Sequence, residues 1–342
     1  MKFIGRRPEF LLLRKKILAR SESVALAAIE AYIDVVRHSR LIGLANQNVG
    51  RHRKLLEIVQ TRVRGGRNSE GDLDQTRERL QAALALVSQI RSARDVAVAK
   101  FRNEVGLAPR KLGRAKTPSN PYKSTMYALR AAIDNNPRLA ALRHEIDAAG
   151  FKTEQSRSSL YPTVSLEASA TRGEDLDGTA DRSNDFRGVV MMRWKLFDGG
   201  VRRARIEEET EREYVKIAEY DTMTRQLGQA IEIAWSRIHE GSRQVRAKRE
   251  QLRQTRKVVT SYRREYEADK RSLLDVLDAE NTRFAIEFDL SNITSLRQFA
   301  AYQLLGHTGR LLTTLNIAKP QGSDTAPNSV VSSSSRNSFH SL

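Results

Sequence analysis

Two long stretches of this 342-residue chain contain no proline, one between Pro8 and Pro109 and the other between Pro162 and Pro320. Proline interrupts a helix because it lacks an amide proton and its ring clashes with the preceding turn. Both stretches can therefore form uninterrupted helices. A helix over residues 201–267 would be roughly 100 Å long, which no compact domain of this size accommodates. We therefore expect long helices that pack as coiled coils.

The sequence also repeats itself weakly at an offset of 203 residues, the separation of Ser69 from Ser272. Residues 29–106 then align with residues 232–309 without a gap, and an aspartate follows each serine three positions later. A serine before a helix accepts a hydrogen bond from a free backbone amide. Each copy therefore predicts a helix, a tight turn and a second helix.

Apolar residues after both turns are spaced by three, four or seven positions. This spacing brings them to one face of a helix and predicts packing of helix against helix. The residues are Leu73, Leu80, Leu84 and Val87 in the first copy and Leu273, Leu277, Phe284 and Phe288 in the second.

The periodicity changes to that of a strand between the two copies. Apolar and polar residues alternate from Val164 to Thr171, and again from Val190 to Leu196. Each segment has about ten residues, the length of a tilted strand that crosses a bilayer. A polar loop over residues 173–185 joins them. We predict a transmembrane β-hairpin over residues 161–199, although a soluble hairpin with one buried face would alternate in the same way.

Charge and residue content limit the possible functions. The formal net charge of +18 is compatible with nucleic acid or anionic lipid as a partner. The absence of cysteine removes disulfides and thiolate chemistry. No glycine-rich phosphate loop, zinc-ligand spacing or nucleophile elbow occurs, so we expect no enzyme and no cofactor. A soluble basic coiled-coil scaffold or nucleic-acid-binding protein is the alternative to a membrane protein.

The N-terminus predicts neither a membrane-spanning helix nor an export signal. No apolar run reaches roughly eighteen residues, and the run Phe10–Leu13 is too short for a signal peptide.

Proline and basic residues predict an irregular connector, and the serine-rich C-terminus predicts disorder. The expected order is a basic segment (1–20), a first-repeat helix-turn-helix (21–107), a connector (108–124), a second-repeat helix (125–160), the β-hairpin (161–199), a second-repeat helix-turn-helix (200–317) and a disordered tail (318–342).

This order resembles that of the TolC-like outer-membrane efflux and secretion channels. The sequence is most similar to that of the family at residues 160–164 before the hairpin, 194–200 after it and 271–280 at the second turn. The resemblance covers about residues 21–317 and implies a mainly α fold with a small β part. Long coiled-coil helical hairpins would form an α-barrel subunit, and the β-hairpin would contribute to a shared trimeric β-barrel. Since such channels carry one hairpin in each of two repeats, we expect this chain to be N-terminally truncated.

The resemblance also implies a function and partners. It implies a channel subunit for type I protein secretion or multidrug efflux, in the bacterial outer membrane with a helical tunnel in the periplasm. The channel would be a passive conduit that opens by untwisting of its helix tips. Expected partners are two further copies in a homotrimer, a periplasmic adaptor protein, an inner-membrane pump or ABC transporter, and outer-membrane lipid, with no nucleic acid. The sequence does not identify the cargo.

Particular residues acquire roles from the same resemblance. Asp72, Tyr266 and Arg271 match the latch that holds neighbouring coils closed. Asp275 and Asp278 match lumen-facing acids that form cation-favouring rings in a trimer. Alternatively, the aspartates are first-turn acids that stabilise a helix dipole, and Arg271 is a solvated turn residue. The residues assigned to the membrane hairpin and its rim are Tyr161, Pro162, Trp194, Phe197, Gly199 and Gly200.

Overall fold

The computed structural model describes residues 6–110, 112–174, 182–318 and 320. Within these residues the fold is mainly α-helical with a small two-stranded sheet, as predicted. The elements are α1 (Arg6–Arg64), α2 (Glu70–Val105), α3 (Thr125–Asn135), α4 (Pro137–Ser158), β1 (Thr163–Glu174), β2 (Arg182–Arg193), α5 (Val201–Glu267), α6 (Leu273–His307) and α7 (Leu311–Thr314). The predicted disordered tail lies outside the described residues except for positions 318 and 320.

The chain divides into two compact units. The first consists of Met1–Lys16 and Arg138–Arg225, and the second of Ile17–Pro137 and Gln226–Leu342. The β-hairpin belongs to the first unit, and both turns between long helices belong to the second. No helix in the described part of the chain combines the length and apolarity needed to cross a bilayer.

The bounds of the long helices repeat along the chain. Helices α1 and α5 end, and α2 and α6 begin, at positions that are 203 residues apart. Ser69 caps α2 by accepting a hydrogen bond from the Asp72 amide at 3.1 Å. Ser272 caps α6 in the same way, accepting from the Asp275 amide at 3.2 Å. The same local chemistry therefore starts the helix after each turn.

Two of the buried apolar clusters between these helices lie near the turns and the predicted stripes. One contains Leu41, Leu80, Val87 and Phe284, and the other includes Leu55 and the residues that follow each turn. All eight residues of the predicted apolar stripes lie in or against these clusters. Burial of such side chains stabilises the fold by roughly 1.5–3 kcal/mol each, so the stripes supply much of the energy that joins the helices.

Helix α1 begins earlier than the predicted organisation suggests. The sequence predicts a separate basic segment over residues 1–20, whereas α1 already begins at Arg6. Arginine, lysine and leucine favour helix, and Pro8 lies in the first turn, where its missing amide proton costs no intrahelical hydrogen bond. The basic segment from Arg6 onward is therefore part of a long helix.

A break at residue 136 separates α3 from α4. Asn136 is extended, with φ −68° and ψ 119°, because the following Pro137 disfavours the helical conformation at this position. Its side-chain amide donates to the His307 carbonyl oxygen at 2.8 Å. This hydrogen bond joins the break to the C-terminal end of α6.

The connector is irregular but held in place by hydrogen bonds. The Tyr32 hydroxyl donates to the carbonyl oxygen of Gly113 at 2.8 Å. The Tyr302 hydroxyl donates to that of Lys116 at 2.5 Å. Helices from both repeats therefore bind the described part of this segment.

Strands β1 and β2 form an antiparallel hairpin, and each has twelve residues. The strands extend into the predicted loop over residues 173–185, of which residues 175–181 lie outside the described residues. The alternation predicted over residues 190–196 is wrong at its end, because β2 ends at Arg193, and Trp194 and Leu196 lie beyond the strand. Polar residues at both ends of the predicted loop therefore belong to the strands, because polar residues also take part in the backbone ladder.

Candidate functional site

The two turns between long helices are joined by side-chain hydrogen bonds, with Asn68 at the centre. The Asn68 Oδ1 accepts from Arg62 Nε at 2.7 Å and from the Tyr266 hydroxyl at 3.0 Å. The Asn68 Nδ2 donates to Asp72 Oδ2 at 2.9 Å. Two of the predicted latch residues, Tyr266 and Asp72, are therefore connected through a third residue.

Arg62 makes further links from the end of α1 to the second turn. It forms an ion pair with Asp269 and donates to the Glu267 carbonyl oxygen at 3.3 Å. Its guanidinium carbon lies 4.7 Å from the centroid of the Tyr266 ring. A hydrogen bond that involves a charged group contributes roughly 1.5–3 kcal/mol. Arg62 thus connects the two repeats at their turns.

Hydrogen bonding and burial set the protonation states of Asp72 and Tyr266. The hydrogen bond from Asn68 lowers the pKa of Asp72, and the Ser69 amide and hydroxyl act in the same direction. Burial raises the pKa of the Tyr266 hydroxyl. At neutral pH Asp72 is therefore an anionic acceptor and Tyr266 a neutral donor.

Arg271, the third predicted latch residue, makes a separate set of contacts. Its Nε donates to Glu265 Oε2 at 2.9 Å, and its Nη1 lies 3.7 Å from Asp275 Oδ2. Its guanidinium carbon lies 4.1 Å from the centroid of the Tyr262 ring. Within the described part of the chain, the structure does not bring Arg271 together with Asp72.

The internal repeat relates these two sets of contacts. At the offset of 203 residues, Arg62 aligns with Glu265 and Asn68 with Arg271. In both copies the two positions hydrogen-bond across the turn, with the donor and the acceptor exchanged. Neither Arg62 nor Asn68 is among the site residues predicted from the sequence. Placing the turn residues of the two repeats side by side is the signal that could have found them.

The two predicted lumen acids have different surroundings. Asp275 lies in the first turn of α6, where its Oδ2 accepts from the Ser272 hydroxyl at 2.9 Å and its carboxylate approaches Arg271. Asp278 is exposed and has no side-chain hydrogen bond or ion pair within the residues that the structure describes. Asp275 therefore serves the helix cap, and the charge of Asp278 is not compensated.

A buried carboxylate, Glu280, lies one turn further along α6. Its exposed fraction is 2%. Arg263 Nη2 approaches its Oε1 to 2.5 Å, Arg51 Nε approaches its Oε2 to 3.0 Å, and Arg283 Nη1 approaches the same oxygen to 3.8 Å. Burial of a carboxylate requires such partners, because an isolated charge is strongly destabilised away from water.

A second buried carboxylate, Glu287, lies two turns beyond Glu280 and shares two of its partners. Its Oε1 is 3.1 Å from Arg256 Nη2 and 3.3 Å from Arg283 Nε, and its Oε2 is 3.4 Å from Arg51 Nη2. The two glutamates and four arginines form one cluster that links α1, α5 and α6. This cluster of buried ion pairs was not predicted from the sequence.

At the hairpin, glycines change the chain direction between β2 and α5. The Asp198 carboxylate accepts hydrogen bonds from the amides of Gly200 and Arg202, both at 3.2 Å. Gly199 and Gly200 have φ values of 66° and 89°, which glycine adopts without a steric penalty. Arg202 also donates to the Ser159 carbonyl oxygen at 3.0 Å. The two predicted glycines therefore belong to the turn that ends the hairpin.

The predicted aromatic residues lie at that same end of the hairpin. Tyr161 and Phe197 are exposed, and Pro162 immediately precedes β1. The Trp194 ring nitrogen donates to the Leu160 carbonyl oxygen at 3.1 Å, which connects the two chain segments at the base of the strands. Aromatic rings in such a position suit a membrane interface.

The strand pairing places apolar residues together on one face of the hairpin. The cross-strand pairs on that face are Val164 with Met192, Leu166 with Val190, Ala168 with Gly188 and Ala170 with Phe186. Directly opposed residues project to the same side of a sheet. The side chains of Leu166, Val190 and Phe186 are 75%, 72% and 79% exposed. An exposed apolar face of this kind marks a contact surface for lipid or protein.

Comparison with known proteins gives the family. The model of the family described as "Outer membrane efflux protein" matches residues 128–310, more than half of the chain. The chain belongs to this family. The match includes the hairpin and the second helix-turn-helix, and it confirms the resemblance to TolC-like channels.

Relatives and a solved structure agree with this assignment. The chain is 25% identical over 299 residues to the outer membrane efflux protein BepC of Brucella suis, covering 87% of this chain and 66% of BepC. It is also 25% identical over 290 residues to the alkaline protease secretion protein AprF of Pseudomonas aeruginosa, covering 82% of this chain and 60% of AprF. The Campylobacter jejuni CmeC outer membrane channel superposes with a TM-score of 0.79 at 12% identity, covering 90% of this chain and 66% of CmeC. The chain thus spans about two thirds or less of the length of these relatives.

Proposed function

We propose that this chain is a subunit of a passive channel in the bacterial outer membrane, for type I protein secretion or multidrug efflux. Its exposed apolar hairpin face would contact lipid, and its long helices would line a tunnel in the periplasm. A periplasmic adaptor protein and an inner-membrane pump or ABC transporter would supply the cargo. The proposal rests on family membership and on this hairpin.

The hairpin also favours a homotrimer. Within the described residues its two strands pair only with each other, which leaves one edge of each strand unpaired. Unpaired backbone groups are costly in lipid, since no water is available to bind them. Strands from two further copies of the chain would satisfy these edges.

The network between the two turns is the observation that supports a gate at the helix tips. Asn68 connects Arg62 and Asp72 of the first repeat with Tyr266 of the second. Untwisting of the tips would separate these residues and break the hydrogen bonds. The closed state is therefore favoured by the free energy of this network. Arg271 and Asp275 would resist opening less, because they pair within the second turn.

Substitution of Asn68 by alanine tests this gate. The variant loses three hydrogen bonds, of which two involve the charged groups of Arg62 and Asp72, so the population of open channels should rise by at least about tenfold. Single-channel recording in planar bilayers measures this population. Asn103→Ala is the matched control, since Asn103 is exposed and, within the described residues, its side chain hydrogen-bonds only to the neighbouring Glu104.

Both channels should insert into the bilayer, and Asn103→Ala should conduct as the unmodified protein does. An Asn68→Ala channel that inserts but remains as closed as the control would contradict the gate. Failure of every variant, and of the unmodified protein, to conduct would instead contradict the channel itself.

The soluble alternative makes a different prediction for residues 161–200. A basic scaffold or nucleic-acid-binding protein would carry a helical or irregular insert at this position, whereas these residues include two paired strands with an exposed apolar face. The net charge of +18 favours an anionic partner but does not account for such strands. The hairpin therefore favours the channel.

A further inference from the structure

A groove borders the buried Glu280 where residues of α1, α5 and α6 meet. Its volume is about 620 Å³. Five of its lining side chains are cationic and two are carboxylates, which gives the lining a formal charge of +3. The groove is therefore a concentrated positive region, and none of the predicted latch or lumen residues lines it.

The carboxylates of the cluster are already engaged by arginines. Both oxygens of Glu280 and both oxygens of Glu287 have at least one guanidinium within ion-pairing distance. Four arginines share these two glutamates, so the cluster itself has an excess of two positive charges. No acid within the cluster is free to neutralise a further cation.

Two cations of the groove have no carboxylate partner. Lys54 on α1 and Arg264 on α5 line the groove, and no carboxylate lies within ion-pairing distance of either among the described residues. Their charges add to those of Arg51, Arg263 and Arg283, which also line the groove. Cationic donors from α1, α5 and α6 thus border the same space.

The excess charge has an energetic consequence for Arg51. Its guanidinium is nearly buried, and burial, with the positive charge of Arg283 as the next contribution, lowers its pKa. Partly buried cations without enough anionic partners destabilise the folded state. An anion in the groove would remove this cost and would join α1 to α5 and α6.

We propose that this groove binds a tetrahedral dianion of the phosphate or sulfate class. Guanidinium groups present several N–H donors in a fixed plane, which matches the oxygens of such an ion better than it matches chloride. The groove volume admits the ion together with water. The site does not depend on transport, because it is built from the ion-pair cluster and the two adjoining cations, Lys54 and Arg264.

Isothermal titration of the purified full chain with inorganic phosphate, at constant ionic strength in chloride, tests the site. We expect saturable binding of one phosphate per chain at concentrations well below those at which phosphate stabilises proteins generally. The double variant Lys54→Gln/Arg264→Gln should bind roughly tenfold or more weakly, because each residue would contribute a charge-assisted hydrogen bond. Both residues are exposed and outside the ion-pair cluster, so the variant should fold.

The matched control is Arg53→Gln/Lys257→Gln, which removes two exposed cations from the same two helices without altering the groove lining. It should bind phosphate as the unmodified chain does. Absence of saturable binding, equal weakening in both double variants, or equal affinity for phosphate and acetate would overturn the proposal. Circular dichroism on each variant verifies that helix content is unchanged.

Discussion

Replacement of Glu22 by glutamine should make the stability of the fold less dependent on pH. Glu22 is on α1 and is 7% exposed. Its Oε1 accepts from the Leu312 amide at 3.4 Å, and its Oε2 has no hydrogen-bond partner within the described residues. Burial, opposed by the backbone amides of Leu311 and Leu312, raises its pKa from 4.5 to about 6. The folded protein therefore favours the protonated acid.

The magnitude follows from this difference in pKa. One unit corresponds to about 1.4 kcal/mol, so the shift corresponds to at most about 2 kcal/mol. Below pH 4.5 the carboxyl is protonated in both states and has no effect on stability. As the pH rises from 4.5 to about 6, the unfolded chain loses its proton first, and the free energy of unfolding falls. Above about pH 6 the free energy of unfolding is lower by the full amount, at most about 2 kcal/mol.

Thermal and urea unfolding of both proteins, followed by circular dichroism at several pH values, measures this effect. Glu22→Gln should match the unmodified protein near pH 4 and exceed its free energy of unfolding by up to about 2 kcal/mol at pH 7.5. Glu57→Gln is the control, since Glu57 is an exposed acid on the same helix. A difference between Glu22→Gln and the unmodified protein that does not change with pH would refute the reasoning.

Two further predictions concern single residues of the second unit. Asp278→Asn should reduce cation selectivity in bilayer recordings, measured as the reversal potential in a salt gradient. Asp74→Asn, which removes another exposed acid, should leave the selectivity unchanged. Equal effects of the two substitutions would contradict a lumen role for Asp278. Gly309→Ala should destabilise the fold by roughly 1–3 kcal/mol in urea titrations, because φ is +67° and an added Cβ would lie 2.4 Å from the Asn135 carbonyl oxygen. Gly106→Ala, with φ +77° and open space around it, should cost less, and an equal cost would rule out the steric contact as the cause.

The parts of the fold that depend on residues close together in the chain could be predicted from local sequence. The absence of proline predicted that long helices could form, and the start of α2 and α6 followed from Ser69 and Ser272. The hairpin followed from alternation, but its ends did not. Trp194 continues the apolar pattern and yet lies beyond β2. Alternation specifies which side chains share a face, whereas the end of a strand depends on whether a partner is available for its backbone.

Tertiary packing, in contrast, sets which charged residues are buried and which residues meet at the turns. Glu280, Glu287 and Arg51 have no local feature that distinguishes them from the many solvated charges of these helices. Tyr266 and Asn68 are separated by 198 residues and hydrogen-bond only because the two repeats pack together. Periodicity and capping arise from interactions within a few residues, so a sequence displays them directly. The surroundings of a charge depend on which distant helix covers it, and that is fixed only when the chain has folded.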